Sequence, residues 1–570
     1  MFDTLPKTYE PAMTWSWDTY KPYFDALQSA ELTADNVVEW LNNWSKVTEL
    51  AWENYSRKYV AVTIDTTDEA RTARLNDFLE NVMPPLMIAS QALKEKLLAS
   101  GLEPDGYEVQ LRNMRVEAEI FREENVLLQT EEEKMGQEYD RIVGAQSVQW
   151  NGEERTLTAM IPERMNLDRA VREQAWRAVI DRGLQDRAAL NDLWTRMLKL
   201  RLQIAENAGM DYRSYMWKTR KRFDYTPEDC LSFHKAIEET VVPAAARIYE
   251  RRRAQLGVDS LRPWDSDHQI HVDPLNRPAL KPFSDGDALS RATSELFHKV
   301  DPALGNYYDI MMEENLLDLE NRKGKAPGGY CTAFPYTQRP FIFMNAVGLH
   351  DDVQTLLHEG GHAFHVFATD ENLPSYLREQ PPIEFCEVAS MSMELLAAPY
   401  FSKAKGGVYS EADAARARID HLEGMITFWP YMAVVDAFQH WVYTNTDAAL
   451  NPDNCDAEWA RQWDRFMVGI DYTGLEDARV TGWHRKLHIF QIPFYYVEYG
   501  IAQLGAAQVW GNSLTDQAGA VAAYRNALAL GGTRPLPELF STAGAKLALD
   551  SQTLGAAVAL IEKEIHALEN

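Results

Sequence analysis

Two histidines with one glutamate between them make the first chemically capable grouping in this sequence. His358-Glu359-Gly360-Gly361-His362 lies in a segment whose apolar residues Val353, Leu356, Leu357, Phe364 and Phe367 recur at three- and four-residue intervals, the period of a helix. Four residues of helix advance the chain by about 6 Å and bring it back to the same face, so the two imidazoles can meet one ion. Zinc suits such a pair, because it takes neutral imidazole nitrogens at about 2.0–2.1 Å and, in catalytic sites, three protein ligands plus water. Glu359 follows the first histidine and is the candidate general base for that water.

A third ligand has to come from another segment. His365 shares the face but stands seven residues from His358, about 10 Å along the axis and too far for one tetrahedral ion. Downstream, Ile383 to Leu396 reads as a second helix in which Glu387 sits beside Cys386, Val388 and Ala389. A carboxylate among apolar neighbours is costly unless it is paired or bound to metal, which makes Glu387 the third ligand. Glu384 is its competitor and is expected on a solvated helix edge, whereas Glu394, two turns beyond Glu387, is placed to orient a ligand histidine.

The elements around these residues follow from local signals. Asp351 with Gln354 three residues on predicts the capped start of the first helix. Gly360 and Gly361 each cost a helix about 1 kcal/mol relative to alanine, so either a substrate backbone or a neighbouring helix must need the space. Before that helix, Leu316 to Leu319 and Arg339 to Asn345 read as strands around a glycine-rich loop, Lys323 to Tyr330. A strand edge there could hydrogen-bond an extended peptide. Later, His488 precedes Pro493-Phe494-Tyr495-Tyr496, with Tyr499 three residues beyond Tyr496; Pro493 is expected in the first helical turn.

At these residues the chain resembles the thimet-oligopeptidase family of zinc metallopeptidases, in its oligoendopeptidase F and Pz-peptidase branch. The resemblance rests on His358-Glu-Gly-Gly-His-Ala-Phe-His365 and Glu387-Val-Ala-Ser-Met-Ser-Met-Glu394, and it runs from about Asn207 to the C-terminus, including Gly531-Gly532-Thr533-Arg534-Pro535. It implies one Zn(2+) per chain on His358, His362 and Glu387, with Glu359 as base. It also implies oxyanion donors at His488, Tyr496 and Tyr499, and a peptide-binding strand and loop that include Gly328, Gly329, Tyr330 and Phe341. The spacing after His488 is one residue shorter than in thimet oligopeptidase, so Tyr495 stands as the alternative to Tyr496. The implied fold is mostly helical and two-lobed, with a small β-sheet beside the zinc helix and a deep substrate channel. The implied substrates are short unstructured oligopeptides.

The rest of the chain is consistent with that reading. Its 570 residues, 46% hydrophobic and 11% aromatic, can bury a large core. A formal net charge of -28 argues against a nucleic-acid or anionic-membrane partner. The N-terminus lacks a signal-peptide pattern and no long apolar run appears, so a cytoplasmic location is expected. Cys230, Cys331, Cys386 and Cys455 are spaced as free thiols.

Helical periodicity covers Leu32 to Tyr59, Thr67 to Leu98 with a kink or restart at Pro84-Pro85, Thr130 to Leu202, Pro227 to Leu256, Ala412 to Asn445 and Ala457 to Met467. His268 to Val272 alternates as a short strand or loop would. Lys218 to Arg222, the densest basic patch, is expected on a solvated face or in an internal ion pair. A helical lobe over residues 1–180 and a catalytic domain over 181–570 complete the expectation.

Overall fold

The structure is a computed structural model and describes residues 2–266, 272–275, 277–322, 324–326, 328–378 and 380–569. The alternation at His268 to Val272 falls almost wholly outside the described residues. The chain is mostly helical, with a two-stranded and a three-stranded sheet among the described residues. In chain order, the elements that position functional side chains are α1 (Val37–Ile64), α2 (Pro227–Leu256), α3 (Gly286–Val300), β1 (Leu317–Glu320), β2 (Tyr330–Phe334), β3 (Arg339–Ala346), α4 (His350–Asn372), α5 (Ile383–Ala397), α6 (Glu411–Thr444) and α7 (Tyr496–Ser513).

Two compact units interleave along the sequence. The first takes Met1–Glu119, Ala279–Ala417 and Ala502–Leu547; the second takes Ile120–Pro278, Arg418–Ile501 and Ala548–Asn570.

In the first unit, the opening helices bury Tyr20, Phe24, Trp40, Leu41, Phe78, Leu93 and Leu97 in one core. The proline pair acts as a restart: one helix ends at Asn81, and Met83–Ser100 begins anew with the prolines in its first turn, where a missing N–H costs least. The sheet places β3 in the middle, parallel to β1 and antiparallel to β2. The glycine-rich loop therefore leads into a third strand. Among the described residues, no strand pairs with the outer side of β2.

Helix α4 starts one residue before the expected cap. The Asp352 carboxylate, rather than Asp351, accepts the backbone N–H groups of Val347, Gly348 and Leu349 at 2.8–3.0 Å. This satisfies donors that a helix start leaves open.

In the second unit, α2 carries a full capping box. The Asp229 side chain takes the Thr226 N–H at 2.7 Å, and Thr226 Oγ1 takes the Asp229 N–H at 3.2 Å. Gly257, at φ +65°, ends the helix. A hairpin, Ser147–Trp150 with Glu153–Thr156, turns at Asn151-Gly152, both at positive φ. Asn-Gly is the residue pair that such a turn selects.

Candidate active site

Packing between helices of the first unit builds the group of metal-type donors. A Cβ on Gly361 would stand 2.6 Å from both the Ala389 carbonyl oxygen and the Ser390 Cα, and one on Gly360 would stand 2.5 Å from the Phe297 ring of α3. The doubled glycine thus serves close packing of α4 against α5 and α3. The same carbonyl is held by a further contact. The buried Tyr524 hydroxyl donates to the Ala389 carbonyl at 2.9 Å.

That approach brings three donors together. His358 Nε2 is 3.4 Å and His362 Nε2 3.7 Å from Glu387 Oε2, and one donor atom from each residue lies within 4.8 Å of the others. Two ligands of one tetrahedral zinc at about 2.1 Å stand about 3.4 Å apart, so the arrangement fits such an ion. The remaining atoms are also engaged. His358 Nδ1–H donates to Glu394 Oε1 at 2.7 Å, which leaves Nε2 as the free lone pair, and Ser390 Oγ donates to Glu387 Oε2 at 3.0 Å.

Burial depresses the basicity of His362, to about 4, and the nearby carboxylates do not reverse that. For His358 burial also lowers basicity, but Glu387 and Glu394 outweigh it and raise it. Burial acts on Glu387 in the opposite sense and is outweighed by both histidines, so its carboxyl stays below the usual range. Glu359 is 8% exposed, and burial raises its carboxyl to about 7 although the His358 charge and the Cys331 backbone N–H favour the ionised form. The Cys331 contact ties this carboxyl to β2.

Other expected residues fall elsewhere. Glu384 is buried, at 4% exposure, rather than on a solvated edge: it lies in the first turn of α5, which the rest of the unit covers. His365 is buried one turn beyond His362, packs its ring against Phe385 and is held neutral by burial. Phe341 belongs to the core. It sits on the central strand with its side chain buried, so neither its backbone nor its ring is offered to a substrate. Gly328, at φ +93°, needs the freedom of glycine, and its carbonyl accepts from the Asn345 side chain at 2.8 Å. Gly329 passes within ordinary contact of Thr355 on α4. Tyr330 stacks on Phe343 and shares a 2.6 Å hydrogen bond with Thr63 of α1.

The second unit holds the aromatic half of the expected set. The His488 ring lies 4.8 Å from Tyr496, 6.1 Å from Tyr499 and 6.0 Å from Tyr495. Tyr496 is buried, which pushes its phenol well above the ordinary range and keeps it a donor. Pro493 precedes the helix instead of opening it, because Phe494 is left-handed at φ +60° and α7 begins at Tyr496.

Residues from the basic patch secure that bend. Arg222 donates to the Phe494 carbonyl and pairs with Glu498 at 2.6 Å, Arg220 donates to the Pro493 carbonyl at 3.0 Å, and Phe494 N–H donates to Gln439 at 2.7 Å. The patch is an internal ion pair. Lys486, which sequence reasoning missed, places its ammonium 3.9 Å over the Tyr496 ring and is lowered by burial to about 7. A lysine two residues before His488 was the signal available.

Comparison with known proteins adds the lineage. Peptidase family M3 matches residues 164–557. Oligoendopeptidase F, chromosomal, of Lactococcus lactis subsp. cremoris is 25% identical over 276 residues, which is 45% of this chain and 42% of that protein. Oligopeptidase PepF of Bacillus subtilis (strain 168) is 24% identical over 311 residues, 53% of this chain and 44% of that protein. These alignments span less than half of either relative. The solved structure of Pz peptidase A with an inhibitor superposes with a TM-score of 0.87 at 27% identity, covering 100% of this chain and 99% of that one. Because the family match runs unbroken through α4, α5 and the tyrosine helix and takes in well over half of the sequence, the chain belongs to peptidase family M3.

Proposed function

We propose that this chain is a zinc-dependent endopeptidase that cleaves internal bonds of short, unstructured oligopeptides. The observation that carries the proposal is the convergence, within one unit, of the donors His358, His362 and Glu387 with the buried Glu359 and the outer strand β2. The three donors would hold one zinc ion, which when bound polarises the scissile carbonyl and makes water more acidic.

The proton work falls to Glu359. It takes a proton from the attacking water as the new C–O bond forms, and gives it to the amide nitrogen as the C–N bond breaks. Glu394 holds the His358 ring in the tautomer that leaves Nε2 free. The β2 edge supports oligopeptide substrates, since an extended backbone can add to it as a strand without its side chains being read, and a folded protein offers few such segments. Gly328, Gly329 and Tyr330 shape the entry to that strand. His488, Tyr496 and Tyr499 are assigned as hydrogen-bond donors to the oxyanion, with Tyr495 the alternative; the cluster of imidazole and phenols and the family membership support this.

A cleavage map by mass spectrometry tests the proposal, using zinc-loaded protein on peptides with free and amidated C-termini and on one folded protein. Internal cuts indifferent to amidation, with the folded protein spared, are expected. Stepwise dipeptide losses from the C-terminus, abolished by amidation, would make it a dipeptidyl carboxypeptidase, and no cleavage would leave a peptide-binding protein with a structural metal.

A further inference from the structure

The second unit buries four metal-type side chains that the proposed reaction does not use. Cys230 and His234 stand four residues apart on α2, and Asp436 and His440 repeat that spacing on α6. Each pair therefore occupies one helix face. The two faces meet: His234 Nε2–H donates to Asp436 Oδ2 at 2.8 Å, and His440 Nε2 lies 3.4 Å from the same oxygen. Cys230 Sγ, an Asp436 oxygen and a His440 nitrogen lie within 4.8 Å of one another. Exposure is 0% for Cys230, 1% for His234, 0% for Asp436 and 3% for His440, and Trp217, Phe466 and Phe494 wall the group.

Hydrogen bonding inside the protein leaves this group incomplete. Among the described residues, Asp436 Oδ1, His234 Nδ1 and His440 Nδ1 have no hydrogen-bond partner. Buried polar atoms in that state are costly, and a buried carboxylate is costlier still unless a cation faces it. A divalent ion there would give the carboxylate a cation to face and occupy one His440 lone pair. One thiolate and one carboxylate neutralise its charge, and an imidazole lone pair adds the third donor.

We propose that Cys230, Asp436 and His440 form a second metal site, for a divalent cation of zinc's class, with His234 holding the carboxylate in place. The 3.4 Å separation of His440 and Asp436 already matches two ligands of one such ion, and Cys230 Sγ closes by roughly 1 Å to reach the Zn–S distance of about 2.3 Å. The thiolate selects zinc, cobalt or cadmium over magnesium and calcium. On binding, the Cys230 thiol proton passes to solvent as the S–metal bond forms. The site is structural: it joins α2 to α6 within the unit.

The test uses the full-length chain, stripped with a chelator and reloaded with Co(2+). His358, His362 and Glu387 include no sulfur, so a near-ultraviolet thiolate-to-cobalt charge-transfer band reports only the second site and is independent of the peptidase reading. Wild type is expected to show the band and to bind about two ions per chain, while Cys230→Ser loses the band and about one ion and Glu387→Ala keeps the band and loses the other. If Cys230→Ser fails to fold, cadmium NMR of the wild type replaces it, with one resonance expected far downfield through sulfur ligation. Wild type without the band, or without a sulfur-shifted cadmium resonance, overturns the proposal.

Discussion

Glu359 and Glu387 both carry carboxyl groups in the same buried surroundings, yet their proposed roles separate cleanly under substitution. Glu359→Gln keeps the shape and the metal donors but removes the proton acceptor, so kcat is expected to fall by about 10²–10⁴-fold with metal content unchanged; near-normal turnover in a steady-state assay would remove Glu359 from the mechanism. Glu387→Ala is expected to lose bound zinc, measured by elemental analysis, while Glu384→Ala retains it because Glu384 is not among the converging donors. The opposite pattern would reassign the third ligand. In the tyrosine cluster, Tyr496→Phe should lower kcat with little change in KM, by about 100-fold or more for an oxyanion donor, with a comparable effect at Tyr499 and a smaller one at Tyr495. Equal, small effects at all three would return them to the core. At this scale much was legible in the sequence, since ligand spacing on a helix is fixed by its geometry. Glu384 was misread because burial of a helix's first turn depends on what the rest of the chain lays over it.

Helix α4 lies against α5 at Gly361, where the neighbouring atoms are backbone and have no rotamer through which to yield. Gly361→Ala is therefore expected to push the helices apart, costing about 1–3 kcal/mol in stability and weakening metal binding through displacement of Glu387. Gly360→Ala meets a phenyl ring instead and should be milder; comparing the two in thermal melts with and without zinc separates the effects. Helix α2 runs over the residues expected of it, Pro227 to Leu256, and a capping box and a terminal glycine mark its ends, whereas α1 lies five residues later than its periodicity places it. The Asn151-Gly152 hairpin was passed over although its turn signal was present, because a single short hairpin lies within a long helical pattern. Strand β2 follows the glycine loop without a local signal, since four half-buried residues and the buried Phe334 show little alternation and gain their strand character from pairing with β3.

Over the whole molecule, 85 acidic side chains against 57 basic ones make acid stability a property of a few buried partners more than of the surface. Asp265 is 1% exposed and accepts from Arg169, Arg172 and the Arg262 N–H, and although burial opposes ionisation, these partners outweigh it and lower its pKa. A carboxyl depressed in the folded state stabilises above its unfolded pKa and loses that contribution as pH falls through the folded value. Asp265→Asn is thus expected to cost about 3 kcal/mol at neutral pH, because it leaves the buried Arg172 without its counter-charge, and the gap to wild type in denaturant melts should narrow below about pH 4. A gap that widened in acid would contradict the assignment. The interleaving of three stretches into each unit was not legible, because contacts between distant segments leave no local pattern.

Two of the proposed metal donors sit on α4 and the third on α5, and the helices touch where Gly361 has no side chain. An ion held that way is a clasp across a seam, so opening of the seam also releases it. Loosening the seam therefore shortens the lifetime of the loaded protein in the presence of a scavenger, even where the ligands themselves are unchanged.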